Sequence, residues 1–264
     1  MKADIYDTTG KKTKQIDLPD FFTQKIRPDL IKRAFLHEVS FTYQPKGVDP
    51  SSGFKTSAEY LGRKGSYRAM KNRGQAKLPR VKLPEGRFGD VRTIPSSVGG
   101  RRAHPPVPEK KLVEQMNKRE YLFALMNSLA ATTNVSFVKK RGHKFDGSVP
   151  IVLSEEFEKI EKTKDLNSIL SLFIKDDLER SKKGTKKTNA RAVKSRTYVP
   201  RSLLIITDQK SNLLKTARNI SGVDVVPVEE INVSLLAPGG VPGRLTAFTQ
   251  PAIKKLDEII KIKG

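Results

Sequence analysis

Residues 202–207 read Ser-Leu-Leu-Ile-Ile-Thr, and this short, continuous apolar run is typical of a strand that is buried on both faces. A helical segment follows at residues 212–219, and a second apolar strand follows at residues 223–226. Two further strands, at residues 150–153 and 244–249, stand on either side of this unit. Because short buried strands that alternate with helices form parallel sheets, this part of the chain predicts an α/β fold.

The other globular segments add helices and one more strand to this prediction. In the first half of the chain they are a strand at 3–6, an amphipathic helix at 30–39 that is capped by Asp29, a short helical face with Leu112, Val113 and Met116, and a buried helix at 121–131. In the second half they are a helix through 154–160 that is capped by Ser154, a helix through 166–173, and a C-terminal helix. The apolar stripe of the C-terminal helix is formed by Ile253, Leu256, Ile259 and Ile260. The predicted fold is a single globular α/β domain, whose mostly parallel sheet is flanked by helices. A long, irregular, basic loop extends from it.

That loop runs from Gln44 to His104 and contains nine Gly and five Pro residues, with no helical or strand period. It has fourteen Lys and Arg residues against four Asp and Glu residues, a net charge of +10. The whole chain has 51 Lys and Arg against 28 Asp and Glu, a formal net charge of +23. So strong a positive charge is typical of a nucleic-acid-binding protein.

The chemistry of the loop suits RNA. Glycine lets a backbone approach a partner closely, and arginine presents a planar fork to phosphates and bases. Aromatic residues that stand among the cations, Phe54, Tyr60, Tyr67 and Phe88, are able to stack on unpaired bases. The alternative is a disordered tail that binds by charge alone. The side chains predicted to contact RNA are Arg63, Lys64, Arg68, Lys71, Arg73, Lys77, Arg80, Lys82, Arg87, Arg92, Arg101, Arg102 and His104.

A second basic stretch, residues 180–201, has no acidic residue and is interpreted as an irregular loop within the body. We expect it to form a separate RNA contact. Its predicted contact residues are Lys182, Lys183, Lys186, Lys187, Arg191, Lys194, Arg196 and Arg201. The predicted organisation is therefore a body formed by residues 1–43 and 105–264, with the 44–104 loop inserted in it and the 180–201 loop within it.

Nothing in the sequence predicts a catalytic, metal or cofactor site. There is no Cys, and the three histidines, His37, His104 and His143, are scattered. His104 is interpreted as an RNA contact, and His143 as either structural or exposed. The glycine-rich run at residues 238–243 precedes a strand, whereas a dinucleotide-binding loop follows one, so it predicts a turn. Close approach to a phosphate is the alternative. The paired carboxylates, Glu155-Glu156, Asp176-Asp177 and Glu229-Glu230, stand at predicted helix ends.

We expect a cytoplasmic protein with no membrane partner and no small-molecule substrate. The N-terminal residues lack the apolar core of a signal peptide, and no run approaches the ~18–20 apolar residues that span a bilayer.

Several short motifs are distributed over nearly the whole chain. They are Ala3-x-Ile5-Tyr6-Asp7, Asp29-Leu30-Ile31, Arg73-Gly74-Gln75-Ala76, Gly99-Gly100-Arg101-Arg102-Ala103-His104-Pro105-Pro106, Asn117-Lys118-Arg119-Glu120, Leu129-Ala130-Ala131-Thr132 and Leu236-Ala237-Pro238-Gly239-Gly240-Val241-Pro242-Gly243-Arg244-Leu245-Thr246. Taken together, these motifs resemble one known family, the universal large-subunit ribosomal protein number four in its archaeal and eukaryotic form.

The resemblance implies a structural constituent of the large ribosomal subunit that binds its RNA. It also implies that the long loop helps to form the wall of the polypeptide exit tunnel, beside the large-subunit protein number twenty-two. The tip of the loop would lie from Arg73-Gly74-Gln75 through Arg87, which adds Gly74 and Gln75 to the expected RNA contacts. Two other classes are weighed against this one: an RNA-modifying enzyme with a basic recruitment arm, and a non-ribosomal architectural protein of nucleic acids.

Overall fold

The computed structural model of the chain describes residues 1–60, 62, 65, 69–183, 186–187 and 197–263. It divides into two compact units. We call residues 1–42 and 113–264 the body, and residues 43–112 the loop unit.

Strands and helices alternate along most of the body, as the apolar pattern predicts. In chain order the strands are β1 (Lys2–Tyr6), β2 (Lys12–Asp17), β3 (Ala58–Glu59), β4 (Arg80–Lys82), β5 (Phe88–Val91), β6 (Ile151–Leu153), β7 (Lys186–Lys187), β8 (Thr197–Tyr198), β9 (Leu204–Thr207), β10 (Asp224–Pro227) and β11 (Thr246–Thr249). The helices are α1 (Pro28–Ser40), α2 (Lys118–Thr132), α3 (Val135–Lys140), α4 (Thr163–Lys183), α5 (Leu213–Ala217), α6 (Val233–Leu236) and α7 (Gln250–Lys263).

Six strands of the described body form one sheet in the order β10-β9-β11-β6-β1-β2. All neighbours are parallel except β1 and β2, which form an antiparallel hairpin at one edge. The apolar run at residues 202–207 contains β9, which pairs with β10 on one side and with β11 on the other. The predicted α/β fold with a mostly parallel sheet is therefore confirmed.

Both faces of the sheet are covered, which explains why β9 is apolar at consecutive positions. Leu204 and Ile206 lie in one core with residues of α2 and α7, whereas Ile205 lies in a second core with residues of α4 and α5. Successive side chains of a strand point to opposite faces, so a strand covered on both sides needs apolar residues throughout. Each such side chain contributes about 1.5–3 kcal/mol when it is fully buried.

Two predicted helix features are wrong. Asp29 is not the cap of α1: the helix begins at Pro28, whose fixed φ suits the first helical position, and Asp29 pairs with Arg27 at 2.8 Å. The helix predicted around Leu112, Val113 and Met116 does not form, and the next helix, α2, begins only at Lys118. Instead the backbone N–H of Glu114 donates to Ser40 Oγ at 3.0 Å. A tertiary hydrogen bond takes the place of a helical one there.

Two other segments differ in extent from their patterns. The segment after Ser154 is a short 3-10 helix (Glu155–Lys159), and its predicted cap is also wrong, because the Ser154 side chain makes no capping bond. Helix α4 continues through Lys183, beyond the predicted end at Phe173, because Ile174 and Leu178 extend its buried apolar face. Residues 180–183 are thus helical and do not belong to an irregular segment. The backbone of Ile174 (φ −136°, ψ 39°) departs from helical geometry within α4.

The loop unit contains a small antiparallel sheet in the order β3-β4-β5. Ala58 pairs with Val81, and Arg80 pairs with Val91. These strands are two to four residues long, and such short strands leave no readable period in the sequence. The pairing of β3 with β4 joins residues far apart along the chain, Ala58 with Val81, so only the folded structure reveals the sheet.

A buried carboxylate joins four segments of the body. Asp177 on α4 is fully buried and accepts hydrogen bonds from Ser202 Oγ (2.6 Å), His143 Nδ1 (3.1 Å) and the backbone N–H of Lys144 (3.0 Å). The other ring nitrogen of His143 accepts from the backbone N–H of Leu245 at 3.3 Å, so the ring bonds as a neutral imidazole. His143 is therefore structural, the first of the two alternatives.

The network also shifts the pKa values of its members. Burial lowers the pKa of His143 and outweighs the opposing effect of Asp177. Burial alone would raise the pKa of Asp177, but the hydrogen bonds from His143, Ser202 and Lys144 together lower it below its ordinary value. Folding thus favours a neutral histidine and an ionised aspartate.

Replacement of Asp177 by alanine should destabilise the body. The variant leaves buried donors on Ser202 and His143 without an acceptor, and removal of one partner from a buried charged network costs about 3–5 kcal/mol. Urea unfolding followed by circular dichroism measures this destabilisation. Asp176→Ala is the matched control, because this neighbouring aspartate is exposed and should change the unfolding free energy by less than about 0.5 kcal/mol. Equal effects of the two variants would contradict the role given to Asp177.

The stability of the chain should fall as the pH drops below the ordinary His143 value of 6.5. Because the folded-state pKa of His143 is lowered, the unfolded state binds its proton first, and the decrease in stability approaches about 1.4 kcal/mol per pH unit between 6.5 and the folded pKa. Urea unfolding at a series of pH values tests this. In His143→Gln the slope in this window should decrease, and a slope identical to that of the parent would show that His143 does not titrate on unfolding.

Candidate nucleic-acid interface

The carboxylates of the predicted RNA-binding loop are already paired with cations of the same unit. The pairs are Asp49 with Lys55, Glu59 with Lys82 (2.7 Å), Glu85 with Arg87 (3.1 Å) and Asp90 with Arg92 (3.6 Å). Seven further loop cations make no ion pair among the described residues: Lys46, Lys71, Arg73, Lys77, Arg80, Arg101 and Arg102. These seven leave the excess positive charge of the loop unit available to a polyanion.

The most open part of this unit is the segment 71–77, in which every residue is exposed. Asn72 (φ 58) and Gly74 (φ 64) turn the backbone through left-handed conformations, and no atom lies within 4 Å of the position that a Cβ on Gly74 would occupy. The guanidinium of Arg73 lies 4.8 Å from the centre of the Phe88 ring, whereas Lys71 and Lys77 make no such contact. The segment presents cations around a bare backbone turn.

Other predicted contact residues also hold the loop unit together. Arg92 Nη1 donates to the carbonyl oxygen of Gly99 at 2.6 Å, and Arg101 Nε donates to that of Thr93 at 3.2 Å. Arg101 also lies 5.1 Å from the centre of the Phe54 ring. Arg80 lies 3.5 Å from two carbonyl oxygens, those of Gly89 and Ala76. These arginines have structural roles besides any contact with RNA.

Arg102 and His104 are exposed. The loop residues Arg63, Lys64 and Arg68 lie outside the described part of the chain, as does the aromatic Tyr67. The same holds for Arg191, Lys194 and Arg196 of the second stretch.

The rest of the second stretch is divided between solvent and the body. Lys182 is exposed, and Lys183 pairs with Glu179 at 3.2 Å on the last turns of α4. Lys186 and Lys187 form β7, which pairs with β8. Arg201 binds both carboxylate oxygens of Asp224, each at 2.8 Å, so this predicted contact residue already has an anionic partner.

Three arginines of the body bond to its own backbone, although the sequence does not distinguish them from the arginines expected to bind RNA. Arg244 is 1% exposed, pairs with Asp224 at 2.5 Å and donates to the carbonyl oxygen of Leu235 at 3.0 Å. Arg180 donates to the carbonyl oxygens of Gly142 (2.7 Å) and Arg201 (2.8 Å). Arg141 donates to those of Val241 and Pro238. A charge count cannot separate these from RNA contacts, because only burial and partners distinguish them.

Arg141 supports the glycine-rich turn that the sequence predicts at residues 238–243, and the structure confirms that turn. Gly239 and Gly243 have φ values of 78° and 95°. A Cβ on Gly243 would lie 2.6 Å from the backbone carbonyl atoms of Phe137, whereas one on Gly239 would meet nothing within 4 Å. Close packing thus requires glycine at one end of the turn, and the other end is open.

Other classes of site are not apparent in the described part of the chain. No group of three or more His, Asp or Glu side chains there is arranged to hold a metal ion. Likewise, none of the described helices is long and apolar enough to cross a membrane.

An α/β body with an inserted basic unit, whose cations outnumber the carboxylates that pair with them, is typical of a structural nucleic-acid-binding protein. The family model described as "Ribosomal protein L4/L1 family" matches residues 16–259, and the chain belongs to this family. The chain is therefore a ribosomal protein and not an enzyme, and the resemblance drawn from its motifs is confirmed.

The sequence is similar to curated relatives over nearly its full length. The chain is 43% identical over 262 residues to "Large ribosomal subunit protein uL4" of Methanocaldococcus jannaschii, covering 98% of this chain and 99% of the relative. It is 41% identical to the protein of the same name in Archaeoglobus fulgidus, over 98% and 99% of the two chains. With that of Saccharolobus solfataricus the identity is 39%, over 97% and 94%.

Proposed function

We propose that this chain is a structural constituent of the large ribosomal subunit in the cytoplasm and that it binds large-subunit rRNA. The observation that carries the proposal is its similarity, at 39–43% identity over almost all of its length, to proteins named for that subunit. Its net charge of +23 suits an environment of RNA phosphates.

The chemistry of binding is charge neutralisation with release of counterions. Each Lys or Arg that meets a phosphate displaces a condensed cation from the RNA, and the entropy of that release drives association. Lys71, Arg73 and Lys77 are suited to this role, because they are exposed and make no ion pair among the described residues. Loop cations that pair with carboxylates do so at the surface, where such pairs contribute little and a phosphate can compete for them.

We further propose that residues 44–104 thread between rRNA helices, and that the tip, from Arg73-Gly74-Gln75 through Arg87, forms part of the wall of the polypeptide exit tunnel. The large-subunit protein number twenty-two would be the neighbour there. The exposed 71–77 segment, with its bare turn at Gly74, supports this assignment. Residues 180–201 would supply a second rRNA contact, through Lys182 and the lysines of β7.

Neutralisation of the exposed tip should weaken binding in a salt-dependent way. In the variant Lys71→Ala/Arg73→Ala/Lys77→Ala, the slope of log K against log salt for a large-subunit rRNA transcript should become shallower by about two to three, because each phosphate that the protein no longer neutralises reduces the slope by roughly 0.7–0.9. Filter binding between low and moderate salt measures it.

The matched control is Lys162→Ala/Lys164→Ala/Lys254→Ala, which removes the same charge from exposed positions of the body. It should leave the slope within about one unit of the parent. If both triple variants changed the slope equally, only the net charge would matter, and the tip would have no special role in binding RNA.

The tunnel assignment predicts a contact with the emerging polypeptide. A photoreactive amino acid placed at Gln75 and assembled into ribosomes should crosslink to a stalled nascent chain, because a tip that lines the tunnel faces its lumen. The same probe at Ile262, which is 83% exposed on α7 of the body, should give no such product. Crosslinks from position 75 to rRNA alone would contradict the tunnel assignment while leaving rRNA binding intact.

A further inference from the structure

We infer that the loop unit contains a pocket for one unpaired RNA nucleotide, with Tyr43 as the stacking surface for its base. This inference rests on the proposed function, because it names a specific contact within the rRNA that the chain would bind. The pocket is a cavity of about 440 Å³. Its lining comes from two segments of the loop unit, residues 43–46 and residues 102–112. The volume falls in the range of ligand-binding clefts, about 300–1,000 Å³.

The walls of the cavity suit a flat aromatic ring. Tyr43 lines the cavity and is 55% exposed, so much of its side chain is accessible to a partner. The second lining segment includes Pro105, Pro106 and Pro108, whose rings are rigid and apolar. Proline fixes its own φ, so these walls lose little conformational entropy when they contact a partner. Because the tyrosine is exposed at this cavity, a base that enters it is able to stack on the ring.

The charges around the cavity match the phosphates of such a nucleotide. Lys46, Arg102 and Lys110 line it, together with His104, and all four side chains are exposed. Among the described residues none of them makes an ion pair, and no carboxylate lines the cavity. The loop carboxylates Asp49, Glu59, Glu85 and Asp90 each pair with a different cation, so they do not neutralise the four cationic or basic side chains around the cavity.

A nucleotide fits this combination better than a peptide does. A peptide strand needs an open sheet edge to satisfy its backbone, whereas the lining segments contain no strand. An apolar side chain of a protein partner would occupy the cavity, but it would leave the lining cations Lys46, Arg102 and Lys110 without an anionic partner. A base with its flanking phosphates uses the flat walls and the cations together, as single-stranded RNA does when its bases stack on aromatic residues.

The experiment combines ultraviolet crosslinking with binding of the full-length chain to a large-subunit rRNA transcript. Irradiation should join Tyr43 to one nucleotide, identified by mass spectrometry of the crosslinked peptide. Tyr43→Ala should abolish this crosslink and weaken binding about 5- to 150-fold, the range that removal of one stacked base produces. Tyr43→Phe should bind like the parent, because stacking needs only the ring. Arg102→Ala should reduce the salt slope by about one.

Phe123→Ala is the matched control, since this aromatic residue is 54% exposed on α2 of the body and lines no described cavity. It should leave both affinity and the Tyr43 crosslink unchanged. If the parent binds the transcript and Tyr43→Ala binds equally well, the pocket is overturned and the proposed function stands. A Tyr43 crosslink to a protein in assembled subunits would also overturn it. Failure of the parent to bind the transcript would overturn both proposals.

Discussion

Asp177 holds a negative charge inside a protein whose net charge is +23, and several parts of the body depend on where that charge lies. Its carboxylate accepts from Ser202 just before β9, from the segment His143-Lys144 after α3, and through His143 it reaches the backbone before β11. Arg180 Nε lies 3.0 Å from the same carboxylate. In a low-dielectric interior such a network is stable only when every member has a partner, so the arrangement fixes these segments relative to one another.

The positively charged side chains have two different functions in this molecule. Buried or half-buried arginines donate to backbone carbonyl oxygens: Arg244 to that of Leu235 in α6, and Arg141 to that of Pro238 in the glycine-rich turn. Some exposed lysines and arginines of the loop unit, Lys71 and Arg102 among them, have no carboxylate partner among the described residues. Arginine suits the first task because its planar fork reaches several acceptors at once. The exposed set is the part of the charge that RNA phosphates are able to neutralise.

Much of the candidate interface could be predicted from the sequence, because density of Lys and Arg among Gly and Pro is visible without a fold. The class of partner and the family followed from that density and from short motifs. Individual roles could not be predicted. Arg201 is among the expected RNA contacts and yet donates to both carboxylate oxygens of Asp224. Arg92 and Arg101 donate to backbone carbonyl oxygens of their own unit. Tyr43 stands just outside the predicted loop, and only its place in a cavity draws attention to it.

The sequence by itself determined the α/β body, since the apolar run at β9 and its alternation with helices require a sheet covered on both faces. It also determined the positive charge and hence the class of partner. The tertiary structure alone decided the small sheet β3-β4-β5, the absence of a helix at residues 111–117, and the burial of His143. The physical reason is the separation in sequence between the residues that interact. Periodicity and charge are local properties of a chain, whereas strand pairing, the bond from Glu114 to Ser40 and the His143–Asp177 contact join residues far apart in sequence.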